Sequence, residues 1–513
     1  MSAIDGVVNG SRHHAHLALG LDIGTSNTKA CLVQVADGGA ELLATARVAT
    51  PAPATLSVTI AALVRGVLSG HAAPEVVGIA SMAETGVPLD ADDRPLGDWL
   101  RWDGHRAAAQ ARALADRLGP RELFGATGVR PAAKVPLATW AWMREHDAER
   151  WARMTRWAGV ADLACLLLTG RLATDHTLAG RTQAYRLPIT PGHLPAGFDA
   201  DLLAEVGLRP EQLPDVVTDA PAGRVSSPEL VDAGLRAGTP VVVAGHDHAV
   251  GAYAAGVREP GARADSVGTA EAVITVLAGD VPEGRRAEVA AAGMSIVVTV
   301  AGARQALLAG SSSAGAALAW WRDQSGRGLD DLPALVSAAG AGPTGVLVLP
   351  YVSGRQTPSP DPDASVRVVG LGDRPPAVLA KAVLEGICLH ARWMTAEQGR
   401  LAARVAPRTP TSGPITLLGG PVVRNTAWTR VAAEVAAGPM DVADSPEPVA
   451  VGAALVAAER LGLAPGALRL LAAPARPDAR YDAVFERFIA AALDLGPEAV
   501  HRTTPAPPRK EPS

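Results

Sequence analysis

The chain has 513 residues, 48% of them hydrophobic and 19% charged, with 47 basic against 52 acidic side chains and a formal net charge of −5. That length exceeds one ordinary core and implies two sizeable domains. The apolar fraction excludes a disordered chain, and the charge excludes the basic field that nucleic-acid binding requires.

In chain order, residues 1–15 read as a disordered lead-in, polar and without the basic start and apolar run of a signal peptide. His13, His14 and His16 near its end read as a mobile tail rather than a metal site. Ordered structure is expected from about Leu17. Leu17–Leu21 and Ala30–Val35 are short apolar strands around a small-residue turn, and Val76–Ser81 is a further buried strand. Helical spacing covers Arg106–Leu118, Leu137–Arg150 and Asp162–Gly170, the last closed by glycine. Residues 187–222 are Pro/Gly-punctuated and predict loops with short helices. Val241–Ala244 predicts a strand entering the helix Ala249–Gly256. A second strand, Gly/Thr turn and strand run from Asp265 to Leu277, repeating the pattern at 17–35. The uncharged stretch Gln305–Trp321 is long enough to test as a membrane span, but its Gly and Ser residues favour a buried turn and helix. Helices Ala314–Arg322, Pro376–Met394, Thr426–Ala437 and Val449–Arg460 alternate with strands Gly345–Leu349 and Pro414–Leu418, which sets the fold class as α/β. The Pro- and charge-rich end predicts a flexible tail over 491–513.

Cys31, Cys165 and Cys388 are widely spaced, form neither a disulfide framework nor a zinc site, and fit a reducing cytoplasm. Lysine occurs only at positions 29, 134, 381 and 510 of this arginine-rich chain, so a lysine inside a motif draws attention.

Four groups of residues carry candidate chemistry. The turn Asp22-Ile23-Gly24-Thr25-Ser26-Asn27-Thr28-Lys29 offers N–H groups and hydroxyls to phosphate oxygens, a carboxylate to a metal and an ammonium to negative charge; an ordinary polar hairpin reads equally well. Asp247, at a strand end before a small-residue helix, fits either a helix N-cap or a general base in the mouth of an α/β cleft. His246 and His248 flank it, but neighbours on a turn point apart, which argues against metal chelation. Gly419-Gly420 after a strand suits a flat ligand against the backbone, or a plain link. Glu84, Trp99, Trp102 and Arg106 suit a polyhydroxylated ligand, or packing and a surface ion pair.

The order of the motifs adds what none supplies alone. LGLDIGTSNTKACLV, VVVAGHDHAVGAYAAG, DSVGTAEAV, SSAGAALAWWRD, LPYVSGRQTP, AVLEGICLHARW, LLGGPVVRNTAWTRVAAEV and PEPVAVGAALVA together resemble the FGGY family of carbohydrate kinases, of the actin, Hsp70 and sugar-kinase superfamily, over about residues 17–460. The resemblance implies two ribonuclease-H-like domains flanking a cleft: 16–256 with the sugar side and catalytic base, and 257–490 with the nucleotide side, hinged near Gly256–Ala264. It implies ATP and Mg²⁺ as cofactors and a cytoplasmic enzyme acting on a small sugar, ketose, sugar acid or sugar alcohol, with no nucleic-acid or membrane partner; a homodimer stays open. By motif match Asp247 would be the base and Asp22 the Mg²⁺ residue. Thr25, Ser26, Asn27, Lys29, Gly268 and Thr269 would surround the phosphates, and Gly315, Gly419, Gly420, Arg424 and Asn425 would frame the adenosine. Glu84, Trp102, Arg106 and His248, beside Asp247, would contact the sugar. Met82-Ala83-Glu84-Thr85 and Trp102-Asp103-Gly104-His105-Arg106 match neither the xylulose nor the glycerol pattern, so neither substrate carries over. A catalytically silent sugar- and nucleotide-binding sensor is the alternative, and a sugar-independent nucleotide hydrolase a further one.

Overall fold

The structure, a computed structural model, describes residues 16–36 and 39–495. The expected lead-in with His13 and His14, and residues 496–513 of the expected tail, lie outside the described residues; the start of that tail is instead the end of the Arg480–Ala492 helix, and His16 opens the first strand and pairs with Glu75 at 2.8 Å.

Two sheets organise the chain. In spatial order the first runs Gly39–Ala49, Asn27–Ala36, His16–Ile23, Val76–Ser81, Pro240–His246 and Gly223–Arg224; the second runs Ser295–Val298, Gln305–Ser311, Glu271–Val276, Arg263–Val267, Ile415–Leu418, Met440–Ala443 and Leu470–Ala472. Each holds the same five-strand core, three antiparallel strands followed by two parallel ones. The repeated hairpins of the sequence are therefore the openings of two similar halves, as expected of paired ribonuclease-H-like folds.

The halves are joined by helices rather than by their sheets. The Pro448–Glu459 helix, late in the chain, packs on the first sheet beside the Asp247–Ala254 helix. Gly20 and Gly78 make this possible: a Cβ there would lie 1.8 Å from Ala450 O and 1.9 Å from Ala453 O. On the helix itself, Gly452 faces Val250 O, where a Cβ would lie at 2.5 Å. Small residues on both surfaces thus bring helix backbone almost onto the sheet, over a core that includes Ala18, Val242, Val250, Ala454 and Leu455.

Three expectations are corrected. The helix expected over Leu137–Arg150 is two helices, Pro136–His146 and Ala148–Arg153, divided at Asp147, whose carboxylate accepts from Arg150 N and starts the second. The first part of the Gln305–Trp321 stretch is a strand paired on both sides, and the helix begins only at Ala314. The helix from Pro376 continues to Val405, well past Met394. Among the described residues no helix is long and apolar enough to cross a membrane, and the three cysteines are buried and unpaired.

Candidate active site

One cleft of about 640 Å³ lies between the two sheets and is lined from both halves. Its floor holds the two Gly/Thr turns. In the first, Gly24 N donates to Asn27 O at 3.0 Å and Thr50 Oγ1 to Gly24 O at 2.7 Å; in the second, Gly268 N donates to Ala270 O at 2.8 Å. The turns meet, with Ser26 Oγ 3.2 Å from Thr269 Oγ1 although the residues lie on different sheets. Thr25, Ser26, Asn27, Gly268 and Thr269 all face the cleft.

Asp247 faces the same cleft from the end of the Pro240–His246 strand. That strand bulges between Val243 and Gly245, and Gly245 has φ 127°; a Cβ there would lie 2.3 Å from Thr177 Oγ1, which accepts a hydrogen bond from His246 N at 2.8 Å. The bulge re-aims the chain so that Asp247 opens a helix with His246 as its N-cap, replacing the N-cap reading of Asp247 itself. Asp247 Oδ1 accepts from His248 N at 2.7 Å and lies 3.1 Å from His246 Nε2. Burial pushes the Asp247 pKa above 3.8 and nearby Asp22 adds to it, against the opposing effect of His248. Burial, reinforced by His248, Arg181 and Lys134, holds His246 neutral. His248 faces the cleft and its Nδ1 lies 3.0 Å from Ser266 Oγ. Among the described residues no group of three metal-ligating side chains forms, here or elsewhere.

Asp22 Oδ2 accepts from Lys29 Nζ at 2.8 Å, while its Oδ1 is buried with no partner among the described residues. Lys29 is bound on its other side by Glu447 at 3.1 Å. Burial alone would lower the Lys29 pKa, but the two carboxylates outweigh it and raise it. The sequence sets this ammonium toward negative charge, and in the fold it lies in the cleft wall between two carboxylates. Glu447, the N-cap of the Pro448–Glu459 helix, also reaches Arg424 at 3.5 Å. It therefore links the first turn to the Gly420–Arg424 helix.

On that side, Gly419, Gly420 and Arg424 line the cleft. Gly419 has φ 127°, and a Cβ on it would lie 1.9 Å from Val267 O, so the double glycine lets two strand ends converge. Gly315 and Asn425 stand behind the wall. Gly315 seats its helix against Gly268 O and Thr269, and Asn425 caps the next helix by accepting from Trp428 N at 3.2 Å. Neither is brought into the cleft lining.

The sugar-side group divides. Glu84 and Trp102 line the cleft, whereas Trp99 is buried with its indole N–H on Pro51 O. Arg106 is not brought to the cleft: His105, at φ 47°, faces it instead, and the Arg106 guanidinium stacks 5.5 Å from the Trp142 ring centroid. Trp102 Nε1 donates to Thr25 Oγ1 at 3.0 Å, tying this wall to the first Gly/Thr turn. Glu84 is held by Arg181 at 2.6 Å and Lys134 at 3.0 Å. Burial would raise its pKa, and those two cations outweigh burial and hold it below 4.5.

Sequence reasoning missed Lys134, Arg181, Arg130 and Glu447. The scarcity of lysine was a usable signal for Lys134; nothing local marks the other three, which become neighbours of the motifs only through the fold.

The comparisons with known proteins agree with this geometry. The N-terminal domain of the FGGY family of carbohydrate kinases matches residues 17–254 and its C-terminal domain residues 264–460. The xylulose kinase of Streptomyces coelicolor is 30% identical over 86% of this chain and 87% of its own. Crystal structures of a gluconate kinase from Lactobacillus acidophilus and a xylulose kinase from Rhodospirillum rubrum superpose with TM-scores of 0.77 and 0.76, at 18% and 23% identity, over 95% of this chain and 99% and 100% of theirs. With two matching halves around one cleft, this chain belongs to the FGGY family of carbohydrate kinases, ATP-dependent enzymes that phosphorylate a sugar hydroxyl.

Proposed function

We propose that the enzyme transfers the γ-phosphoryl group of ATP to a hydroxyl of a small sugar, ketose, sugar acid or sugar alcohol, with Asp247 as general base. The observation that carries this reading is that Asp247, both Gly/Thr turns and the Glu84–Trp102 wall line a single cleft. The substrate binds along Glu84, Trp102 and His248 with one hydroxyl at Asp247. As that oxygen bonds to the γ-phosphorus, the bridging bond to ADP breaks and Asp247 takes the hydroxyl proton. The hydroxyls and N–H groups of Thr25, Ser26, Asn27, Gly268 and Thr269 receive the phosphate oxygens, and Gly419, Gly420 and Arg424 border the adenosine. His246, being neutral, orients the Asp247 carboxylate through an Nε2–H tautomer without lowering its basicity by a full charge.

The unpartnered Oδ1 of buried Asp22 fits a Mg²⁺ ion, held directly or through water, which when bound would neutralise phosphate charge. Residues 16–256 and 257–490 are the two lobes of this reading, closing about Gly256–Ala264 to keep water from the phosphoryl group.

The test is ADP release from ATP and Mg²⁺ over a panel of pentuloses, hexuloses, tetritols and aldonic acids. Sugar-dependent release about 100-fold or more above ATP alone is expected. Release indifferent to every sugar, or sugar binding with no turnover, overturns the reading.

A pH profile follows from the same geometry. The base must be ionised, and its pKa is raised, so kcat/KM should fall on the acid side with an apparent pKa above 3.8. Glu84, whose two cations hold its pKa below 4.5, should add no limb above that value. A profile with no acid limb above pH 3.8 removes Asp247 as base.

A further inference from the structure

The wall beside Glu84 carries more positive charge than its one carboxylate balances. Lys134 and Arg181 share Glu84, each within 3.0 Å. Arg130 makes no ion pair among the described residues and has only a 3.4 Å hydrogen bond to Gln356 O from the other half. Arg181 is only 5% exposed, yet its Nε and Nη1 are buried without a hydrogen-bond partner among the described residues. All three cations line the cleft. Buried N–H groups of a guanidinium are costly to leave unpaired, and two guanidiniums placed together repel. Burial, with the charge of Arg181 added, lowers the Arg130 pKa, which places those groups within electrostatic reach of one another. His246 is neutral and adds no charge. Of the other carboxylates lining the cleft, Asp22 and Asp247 stand by Lys29 and the two Gly/Thr turns, burial pushes the Glu271 pKa well above 4.5, and Asp361 pairs with Arg355 at 3.8 Å.

From this imbalance we infer that the substrate is a sugar acid, whose carboxylate seats between Arg130 and Arg181, with Lys134 beside them, while a hydroxyl further along its chain lies at Asp247. The inference rests on the proposed kinase reading and narrows its substrate class. The unpaired Arg181 N–H groups and the unpaired charge of Arg130 are satisfied by one carboxylate, as charge-assisted hydrogen bonds require. Glu84 keeps Lys134 and Arg181 in place and offers its remaining acceptor capacity to hydroxyls. A neutral sugar of the same length would leave the guanidinium N–H groups dry and unpaired, a situation that sites built for hydrogen bonding reject strongly.

The experiment compares, by ADP release with the full-length enzyme, aldonic acids of four to six carbons with the alditols and sugar phosphates of the same length. An aldonic acid should exceed its alditol in kcat/KM by about 100-fold or more. Arg130→Gln, and separately Lys134→Met, should each reduce that preference about tenfold or more through the KM for the acid, with the KM for ATP changed less than about twofold. Thermal unfolding confirms that each variant is folded; an aldonic acid alone should raise the Tm of the unaltered enzyme and raise it less in Arg130→Gln. Phosphorylation of alditols or ketoses in preference to acids overturns the inference and leaves the kinase reading standing. Preference for a sugar phosphate overturns it also. A rise in the KM for ATP rather than for the acid assigns the cations to the nucleotide and overturns it as well. Absence of turnover with every sugar class fails the kinase reading itself.

Discussion

Asp247→Asn is expected to lower kcat about 1000-fold, within the range that positioned general bases contribute, while leaving ATP affinity and folding intact. The substitution keeps the side chain's shape, and Asn Oδ1 still accepts from His248 N, the 2.7 Å contact that fixes the carboxylate at the start of its helix. What it removes is the capacity to take a proton. The sign of the stability effect separates this role from a structural one. A carboxyl whose pKa is raised by burial and by Asp22 is destabilised as an anion in the folded state. Neutralising it near pH 7 should therefore leave Tm unchanged or slightly higher. Steady-state ADP release, ATP binding and thermal unfolding on the one variant check all three statements. A kcat within tenfold of the parent would remove Asp247 as the base, and a large fall in Tm would make its role structural.

The two Gly/Thr turns, Asp247 at its strand end and the Gly-Gly strand end were legible as cleft-facing elements because each is a run of adjacent residues whose placement does not depend on distant partners. The strand–turn–strand pattern around Asp22 and again around Gly268 is read from small residues between apolar runs, and both turns form where the pattern sets them. The Leu137–Arg150 helix was overextended because periodicity continues through Asp147 while its side chain begins a new helix. The strand Gln305–Ser311 was hidden because a strand buried at all but one position has no polar alternation to mark it. The same limit explains the site. Glu84 reads as a sugar contact or a surface ion pair with no partner to name, and the partners that set its behaviour, Lys134 and Arg181, lie 50 and 97 residues away. Arg106 reads as a sugar contact, yet one left-handed residue before it turns it onto Trp142. Lys29 reads as an ammonium set toward negative charge, and the charges it meets in the fold are Asp22 and Glu447, the latter from the far end of the chain.

That last contact exists only because the Pro448–Glu459 helix crosses onto the first sheet, and Gly20→Ala should show how much depends on it. A Cβ at position 20 would sit 1.8 Å from Ala450 O and 2.8 Å from its carbonyl carbon, with backbone rather than a flexible side chain in the way. The helix is buried along nearly its whole length, so it has no free space into which to retreat. A loss of about 3 kcal/mol is expected, the upper end for an overpacked core. Gly78→Ala, one strand across and facing Ala453 O, should behave alike. Gly66 supplies the contrast, since it lies on the exposed side of the Leu56–Leu68 helix and a Cβ there would meet only Ala46 Cβ at 3.9 Å. Gly66→Ala should stabilise by about 0.5–1 kcal/mol, through helix propensity alone. Thermal and urea unfolding of the three variants measures the difference. Because Glu447 precedes the first residue of the crossing helix and its carboxylate binds both Lys29 and Arg424, displacing that helix should also loosen the contact between the first turn and the Gly420–Arg424 segment proposed to border the nucleotide. Gly20→Ala should therefore raise the KM for ATP in whatever fraction stays folded, whereas Gly66→Ala should not. Equal stability of Gly20→Ala and the parent would mean that the helix does not pack on the sheet in solution as it does here, and an unchanged KM for ATP would detach Glu447 from the nucleotide side.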